Sequence, residues 1–171
     1  MACFSKAEID ARQLDWTILR DGGVVLYLQE TILYDDVKTL ESYGYRVVSV
    51  DCAQWHDSSQ MHTSLETALD FPSYYGRNLD ALNDCMTNDL DVPDPGGLAL
   101  VLRNVDRSQE TKLEITKAIS IFAKASREHM LTGHRFLTLV QTNNPREEFD
   151  SLGCVGAVWN NREWLNKARG L

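Results

Sequence analysis

Four short apolar runs, separated by polar segments, constrain the fold of this chain more than any other feature of its sequence. They cover residues 22–29, 45–52, 98–105 and 135–142, and each is rich in residues that favour buried strands. Runs that are apolar at nearly every position are typical of strands covered on both faces. Because helical patterns lie between them, the sequence predicts an α/β layer fold with a mainly parallel sheet.

The segments between the first runs carry start and stop signals of helices. Asp35 and Asp36 precede an apolar pattern with helical spacing, and Gly44 stands where a helix would end. This pattern predicts a β-α-β opening. Ser58 or Ser59 is expected to cap the next helix along the chain.

The second half of the chain continues the alternation. Asp106 and Gln109 have the spacing of a capping box, which predicts the start of a long helix that ends at Gly133. Residues 153–159 could form one more short strand.

The end of the chain predicts a last short helix. Asn160 and Glu163 are spaced to cap it, and it would carry Trp164 and Leu165. We interpret Trp159 and Trp164 as residues that pack in the core or in the tail.

Size and composition are those of an ordinary globular protein. The chain has 171 residues, 43% of them hydrophobic and 25% charged, and no linker or repeat divides it, so we interpret it as one folding unit. No apolar run approaches the roughly 18 to 20 residues of a membrane span and the N-terminus lacks a secretory pattern, so we expect cytoplasmic residence. No C-x-x-C pair occurs, which favours reduced thiols at Cys3, Cys52, Cys85 and Cys154.

The negative charge is concentrated in one segment. The chain has 25 acidic and 17 basic residues, a formal charge of −8, which repels nucleic acid and favours a cationic partner. Residues 80–94 contain no Lys or Arg and carry −5 of this charge on Asp80, Asp84, Asp89, Asp91 and Asp94. We therefore expect a basic protein as partner, and neither nucleic acid nor a membrane.

Two of these aspartates share one face of a predicted helix over residues 78–86. If Asn78 caps this helix, Asp80 lies in the first turn, where the helix dipole favours a carboxylate. Asp84 lies one turn further from the N-terminus and four residues from a like charge, so its position indicates binding rather than helix stability. The opposite face is apolar and consists of Leu79, Leu82 and Met86.

Two tyrosines and a glycine precede this helix. Aromatic residues beside charges suit an interface, although Tyr74 or Tyr75 could instead pack the helix onto the sheet. Gly76 would allow a positive φ or a close backbone approach before Arg77.

Catalytic and metal-binding patterns are weak. Asp89, Asp91 and Asp94 have the look of a calcium loop but lack the ligand spacing and the glycine of an EF-hand. Asp80 and Asp84 could serve a metal-dependent hydrolase, but no histidine, lysine or nucleophile lies near them in the sequence. We expect no enzymatic activity, no cofactor and no metal. Ordinary structural roles are expected for His56, His62, His129 and His134.

A resemblance to the barstar family, the intracellular inhibitors of barnase-type ribonucleases, is carried by the segment FPSYYGRNLDALNDCMTND at residues 71–89. The family signature reads Pro-x-Tyr-Tyr-Gly-x-Asn-Leu-Asp-Ala-Leu-x-Asp. The order of elements from residue 47 to about 141, which is strand, helix, acidic helix, strand, long helix and strand, is also similar to the barstar fold.

The resemblance implies a single barstar-like domain over residues 1–171, with a mainly parallel sheet flanked by helices. It places the family core at about residues 45–141. Residues 1–44 are then an added β-α unit, whose run at 22–29 could extend the sheet by a strand. Residues 142–171 are a C-terminal extension.

The resemblance also implies a binding site. In the family, the signature loop and the acidic helix block the ribonuclease active site, with carboxylates where RNA phosphates would bind. By motif position, Asp84 lies closest to the catalytic arginine and lysine cluster of the enzyme. The implied partner-binding residues are Tyr74, Asn78, Leu79, Asp80, Asn83, Asp84, Asn88 and Asp89.

Three positions depart from the family pattern. Asn83 and Asp89 stand where barstar has tryptophans, and Lys124 stands where it has a glutamate that touches the enzyme. The changed rim implies a target ribonuclease different from barnase, with Asp89 and Asp91 as replacement contacts.

The leading hypothesis is an inhibitor or immunity protein, of the kind found in toxin-antitoxin pairs, that occludes a cationic ribonuclease with its acidic helix. The alternative is a non-inhibitory interaction module on the same scaffold, which binds another basic protein or self-associates. A metal-dependent hydrolase is the third hypothesis.

Overall fold

A computed structural model describes residues 3–11, 13–108, 111–149 and 156–164. Within these residues, five strands form one sheet in which every pairing is parallel, in the order β2-β3-β4-β1-β5. The prediction of an α/β fold around a mainly parallel sheet is confirmed. The strands are β1 (Val24–Tyr27), β2 (Tyr45–Asp51), β3 (Gly97–Arg103), β4 (Phe136–Gln141) and β5 (Val158–Trp159).

In the same described ranges, six helices cover the two faces of the sheet, and short 3-10 turns lie at residues 52–54, 105–107 and 161–163. The first three helices lie on one face and the last three on the other, because their buried side chains belong to two separate apolar clusters. The helices are α1 (Lys6–Ala11), α2 (Gln13–Arg20), α3 (Glu30–Ser42), α4 (Ser58–Leu69), α5 (Leu79–Asn88) and α6 (Lys112–Leu131).

The central strand β3 shows why its sequence is apolar at nearly every position. Leu98, Leu100 and Leu102 point into the cluster under α4, α5 and α6, whereas Ala99 and Val101 point into the cluster under α2 and α3. All five side chains are buried, as expected for a parallel strand between two helical layers. Each buried leucine contributes about 1.5–3 kcal/mol relative to an exposed one.

The N-terminal segment forms the predicted β-α-β opening with β1, α3 and β2, although β1 and β2 are not neighbours in the sheet. β1 lies between β4 and β5, with Leu26 beside Val140 and Trp159, and β3 and β4 separate it from β2. Helix α3 therefore connects β1 to β2 across two strands. An apolar run fixes that a strand is buried but not which strand lies beside it.

The C-terminal segment is fastened over the end of β1 by buried polar groups. The Glu163 carboxylate accepts hydrogen bonds from the amides of Leu28 and Gln29 at 3.0 and 2.9 Å. Asp36 accepts from the hydroxyl of Tyr27 at 2.8 Å and from the side-chain amide of Asn160 at 2.6 Å. Burial raises the pKa of Asp36, although these hydrogen bonds act against that rise.

Two predicted helix starts in the first half are wrong. Helix α3 begins at Glu30, five residues before Asp35, and Gln29 precedes it without a side-chain cap. Helix α4 is capped by Asp57, whose carboxylate accepts from the amide of Gln60 at 2.8 Å, so the predicted caps Ser58 and Ser59 lie inside the helix.

The predicted capping box of the long helix is also wrong. Helix α6 begins at Lys112, while Asp106 belongs to a separate 3-10 turn. The carboxylate of Asp106 instead accepts from the amide of Asn143, at 2.8 Å, after β4. Gln109 lies outside the described residues. Asp106 therefore bonds a residue 37 positions away instead of capping α6.

The end of the chain follows its prediction in part. Asn160 caps a 3-10 turn by accepting from the amide of Arg162, whereas the carboxylate of Glu163 accepts from amides at the end of β1. Trp159 packs partly buried against the core, whereas Trp164 is 68% exposed, which contradicts its predicted packing role. Leu165 lies outside the described residues.

Two further predictions concern the cysteine thiols and the membrane. Cys3, Cys52 and Cys85 are free thiols, and Cys154 lies outside the described residues. No helix in the described part of the chain is long and apolar enough to cross a membrane.

Gly97 at the start of β3 tests how closely the sheet is packed. A Cβ there would overlap the ring of Tyr45 and lie 2.6 Å from the carbonyl oxygen of Arg135. We expect Gly97→Ala to lower the free energy of unfolding by about 1–3 kcal/mol, because the backbone must shift to admit the methyl group. Gly156→Ala is the control, since no atom of the described residues lies within 4 Å of its added Cβ. Equal denaturation midpoints for the two variants would contradict this packing.

Candidate acidic binding site

Asn78 starts helix α5 as the sequence predicts. Its backbone is extended, with φ −142° and ψ 171°, and its side-chain oxygen accepts from the amide of Ala81 at 2.8 Å. This bond satisfies one of the free amides at the helix N-terminus. The first residues of α5 are therefore held in a defined direction.

The buried face of α5 fixes which residues point outward. Leu82, Cys85 and Met86 are buried against the core, and Leu79 is half-buried. Burial raises the pKa of Cys85 to about 11, with a smaller contribution from the nearby Asp89, so this thiol is neutral at physiological pH. The opposite face of the helix must then lie in solvent.

Asp80 and Asp84 occupy that outward face, and both are exposed. Among the described residues, no lysine, arginine or histidine lies within ion-pair distance of either carboxylate. The two charges are therefore balanced only by solvent and ions. Like charges one helical turn apart oppose helix formation by a few tenths of a kcal/mol, so the arrangement does not serve stability.

Tyr74 borders the acidic face at the C-terminal end of α5. Its ring is 70% exposed, and its hydroxyl donates to the carboxylate of Asp89 at 2.6 Å. This hydrogen bond raises the pKa of the Tyr74 hydroxyl. Asn88 is exposed beside them and donates to the backbone oxygen of Asp84 at 3.1 Å. The structure thus holds an aromatic ring at the C-terminal end of α5.

The flank of α5 that faces α6 is not acidic. Asn83 accepts from the Lys124 ammonium group at 2.8 Å, and this group lies 3.3 Å from the carboxylate of Glu128. Glu128 also accepts from the hydroxyl of Thr87 at 2.8 Å. Two of the positions that depart from the family pattern, Asn83 and Lys124, therefore contact one another.

Tyr75 packs inside the protein, which resolves the choice that the sequence left open. Its ring is buried against Phe71, and a hydrogen bond of 2.5 Å joins its hydroxyl to Nδ1 of the buried His62 on α4. Burial lowers the pKa of His62 below its ordinary value of 6.5. His62 therefore helps to position the loop before α5, a role that no sequence motif indicates.

The backbone turn before α5 differs from the prediction at Gly76. The positive φ, +49°, belongs to Arg77, while Gly76 does not adopt such a conformation. A Cβ on Gly76 would approach Ala81 to 3.3 Å, so only the predicted close approach is present. Arg77 donates to the carboxylate of Glu66 at 2.7 Å, and this ion pair connects the turn to α4.

The remaining acidic residues follow α5 in a loop. Asp91 is exposed, and its backbone oxygen accepts from Arg46 at 2.6 Å while its carboxylate lies 3.8 Å from the same guanidinium. Asp94 is also exposed. Within the described part of the chain, no three His, Cys, Asp or Glu side chains are placed to hold a metal ion.

The predicted site residues therefore have different surroundings. Asp80 and Asp84 form an exposed acidic pair, Tyr74 and Asp89 are hydrogen-bonded to each other, and Asn88 lies beside them. The other three residues are partly engaged within the protein. Leu79 is half-buried, Asn78 caps α5, and Asn83 contacts Lys124 on α6.

The cap of α5 gives a testable prediction. We expect Asn78→Ala to lower the free energy of unfolding by about 1 kcal/mol, because the amide of Ala81 loses its acceptor. Asn78→Ser, which retains a capping oxygen, should restore most of this loss. Chemical denaturation measures the free energy of unfolding of the parent and of both variants. An alanine variant as stable as the parent would contradict the capping role.

The buried His62 gives a pH prediction. Because its pKa is lower in the folded chain than in the unfolded chain, its stabilising contribution is complete above about pH 6.5 and is lost as the pH falls through the folded pKa. Denaturation at pH 7.5 and 5.5 should therefore show a greater loss of stability in the parent than in His62→Gln, whose amide can still bond Tyr75. Equal losses would show that His62 titrates normally.

Comparison with known proteins places this chain in a family. Residues 45–141, more than half of the chain, match the family model described as "Barstar (barnase inhibitor)". A protein of Bacillus subtilis (strain 168), named "Putative ribonuclease inhibitor YrdF", is 44% identical over 63 residues. The match covers 37% of this chain and 65% of that relative, slightly less than two thirds of its length.

The similarity to solved structures concerns the fold alone. Chains from "Structure of Drosophila ORC bound to AT-rich DNA and Cdc6" and from the corresponding GC-rich complex have TM-scores of 0.51 and 0.50, each at 14% identity. The first match covers 95% of this chain and 59% of that chain, and the second covers 81% and 47%. The family model carries the stronger information, and the chain belongs to the barstar (barnase inhibitor) family, whose members are inhibitors rather than enzymes.

Proposed function

We propose that this chain inhibits a cationic ribonuclease by inserting the acidic face of α5 into the enzyme's active site. Membership of the barstar family and the name of the Bacillus subtilis relative support the class of partner. The observation that carries the mechanism is the exposed pair Asp80 and Asp84, which has no cation near it in the described residues.

Charge complementarity explains why such a helix would bind a ribonuclease. An active site that holds RNA phosphates presents arginine and lysine side chains, and carboxylates can form charge-assisted hydrogen bonds with the same groups. The five aspartates of residues 80–94 concentrate negative charge around α5. The resulting field would also accelerate association at low ionic strength.

The rigidity of α5 supports a tight complex. Its first turn is capped by Asn78, its inner face is buried, and the preceding turn is joined to α4 through Arg77 and Tyr75. Side chains on a fixed helix lose little further freedom on binding, so more of the interaction energy contributes to affinity. Asp84, in the middle of the helix, is the proposed centre of the contact.

The rim of the site supports a target other than barnase. Lys124 places a cation beside α5 where barstar has a glutamate, and Asp89 bonds Tyr74 where barstar has a tryptophan. A matching enzyme would avoid a basic group opposite Lys124 and offer a hydrogen-bond donor to Tyr74 or Asp89.

Replacement of Asp84 tests the proposal directly. We expect Asp84→Ala to fold normally and to weaken the complex with a ribonuclease encoded beside this chain by at least about 2 kcal/mol, roughly thirtyfold in Kd. Titration calorimetry and a ribonucleolytic assay measure the two effects. Asp10→Ala is the matched control, because it removes one exposed carboxylate from α1, on the other face of the sheet.

Two results would contradict the proposal. If Asp84→Ala bound as tightly as the parent, Asp84 would not contact the active site. If Asp10→Ala weakened the complex by the same factor, the net charge of the chain and not the face of α5 would govern binding.

A further inference from the structure

The outer edge of β2 is an open edge of the sheet. β2 lies at one end of the strand order and pairs with β3 along residues 45–51. In a parallel pair, alternate residues direct their backbone N–H and C=O groups away from the neighbour. Within the described ranges, no other strand meets these outward groups, and backbone groups along an extended edge are complementary to another extended chain.

The sequence of β2 does not protect this edge. The four central residues, 47–50, are uncharged and contain no proline, and Ser49 is exposed. Arg46 is directed to the backbone oxygen of Asp91, so its charge does not cover the edge. Edge strands that avoid pairing usually carry central charges, prolines or bulges.

A groove runs between this edge and helix α4. Its volume is about 660 Å³, and it is lined by apolar, hydroxyl and amide side chains that include Val50, Gln54, Trp55, Gln60, Ser64 and Ala68. Asp51, at the carboxyl end of β2, is its one charged lining residue in the described part of the chain. Asp51 accepts from the amide of Ala53 and from the side chain of Asn104, both neutral donors.

Trp55 adds an unsatisfied polar group to this groove. The residue is 2% exposed, and its indole N–H has no acceptor within the described residues. A buried donor without an acceptor is unfavourable. The indole nitrogen is covered by the protein, so a bound chain would reach it only if the Trp55 side chain moves.

We propose that an extended segment of a partner polypeptide adds to β2 as a sixth strand in this groove. Its backbone would pair with the outer edge of β2, and an apolar side chain would lie under α4 against Trp55 and Ala68. A basic residue near Asp51 would complement this carboxylate and the net charge of −8.

A second copy of the chain fits the groove less well. Two β2 strands joined edge to edge would be related by a two-fold axis normal to the sheet, which keeps both α4 helices on the same face. Both α4 helices would then lie over the same joint, and each would crowd the strand of the other copy.

The proposed groove is independent of the acidic face of α5. Its lining contains none of the residues proposed to contact a ribonuclease. The two surfaces can therefore be tested separately, and the failure of one proposal leaves the other unchanged.

A displayed library of random nine-residue peptides tests the groove. The folded chain serves as bait. Peptides that also bind the Ser64→Trp variant, in which the new ring fills the groove from α4, are removed by counter-selection. We expect enriched peptides with alternating apolar positions and a basic residue. On titration with such a synthetic peptide, the NMR amide shifts should change along β2 and α4. Kd should rise at least tenfold in both Ser64→Trp and Thr67→Trp.

Two further variants serve as controls for peptide binding in the groove. Leu131→Trp, which adds a ring at an exposed position at the end of α6, and Asp84→Ala should bind the peptide as the parent does. The proposal is overturned if no peptide is enriched over the counter-selection or if enriched peptides shift the amides of α5 instead of β2. It is also overturned if light scattering shows that a dimer occupies the edge.

Discussion

The burial of the inner face of α5 is the constraint on which the rest of this account depends. Leu82, Cys85 and Met86 are packed between α6 and the sheet, so rotation of the helix would expose them to water. Leu82 and Met86 each favour the observed orientation by about 1.5–3 kcal/mol. This energy exceeds the few tenths of a kcal/mol by which Asp80 and Asp84 repel each other, so the helix tolerates an acidic face.

The two ends of the sheet have different surroundings. At one end, β1 and β5 extend the sheet beyond β4, and Glu163 and Asn160 fasten the chain to the end of β1. At the other end, β2 has no added strand in the described residues. In the described ranges, the segments outside the family match therefore extend the sheet beyond β4 and add no strand beside β2.

Local signals predicted the parts of this structure that local interactions determine. Apolar runs predicted the strands, and the spacing of Asn78, Asp80 and Asp84 predicted the cap and the outward face of α5. Predictions failed where a distant group competes, because Asp106 bonds a residue after β4 rather than α6. The His62 and Tyr75 contact could not be predicted either, since no motif connects a helix to a loop 13 residues later.

Steady-state inhibition kinetics test the central claim most directly. If carboxylates of α5 occupy the phosphate-binding positions of a ribonuclease, the chain must compete with RNA for the free enzyme. With a ribonuclease that the chain inhibits, a short RNA substrate and inhibitor in large excess over enzyme, increasing inhibitor should raise the apparent KM and leave kcat unchanged. A fall in kcat at constant KM would show that inhibitor and RNA bind together, and it would contradict occupation of the active site by this helix.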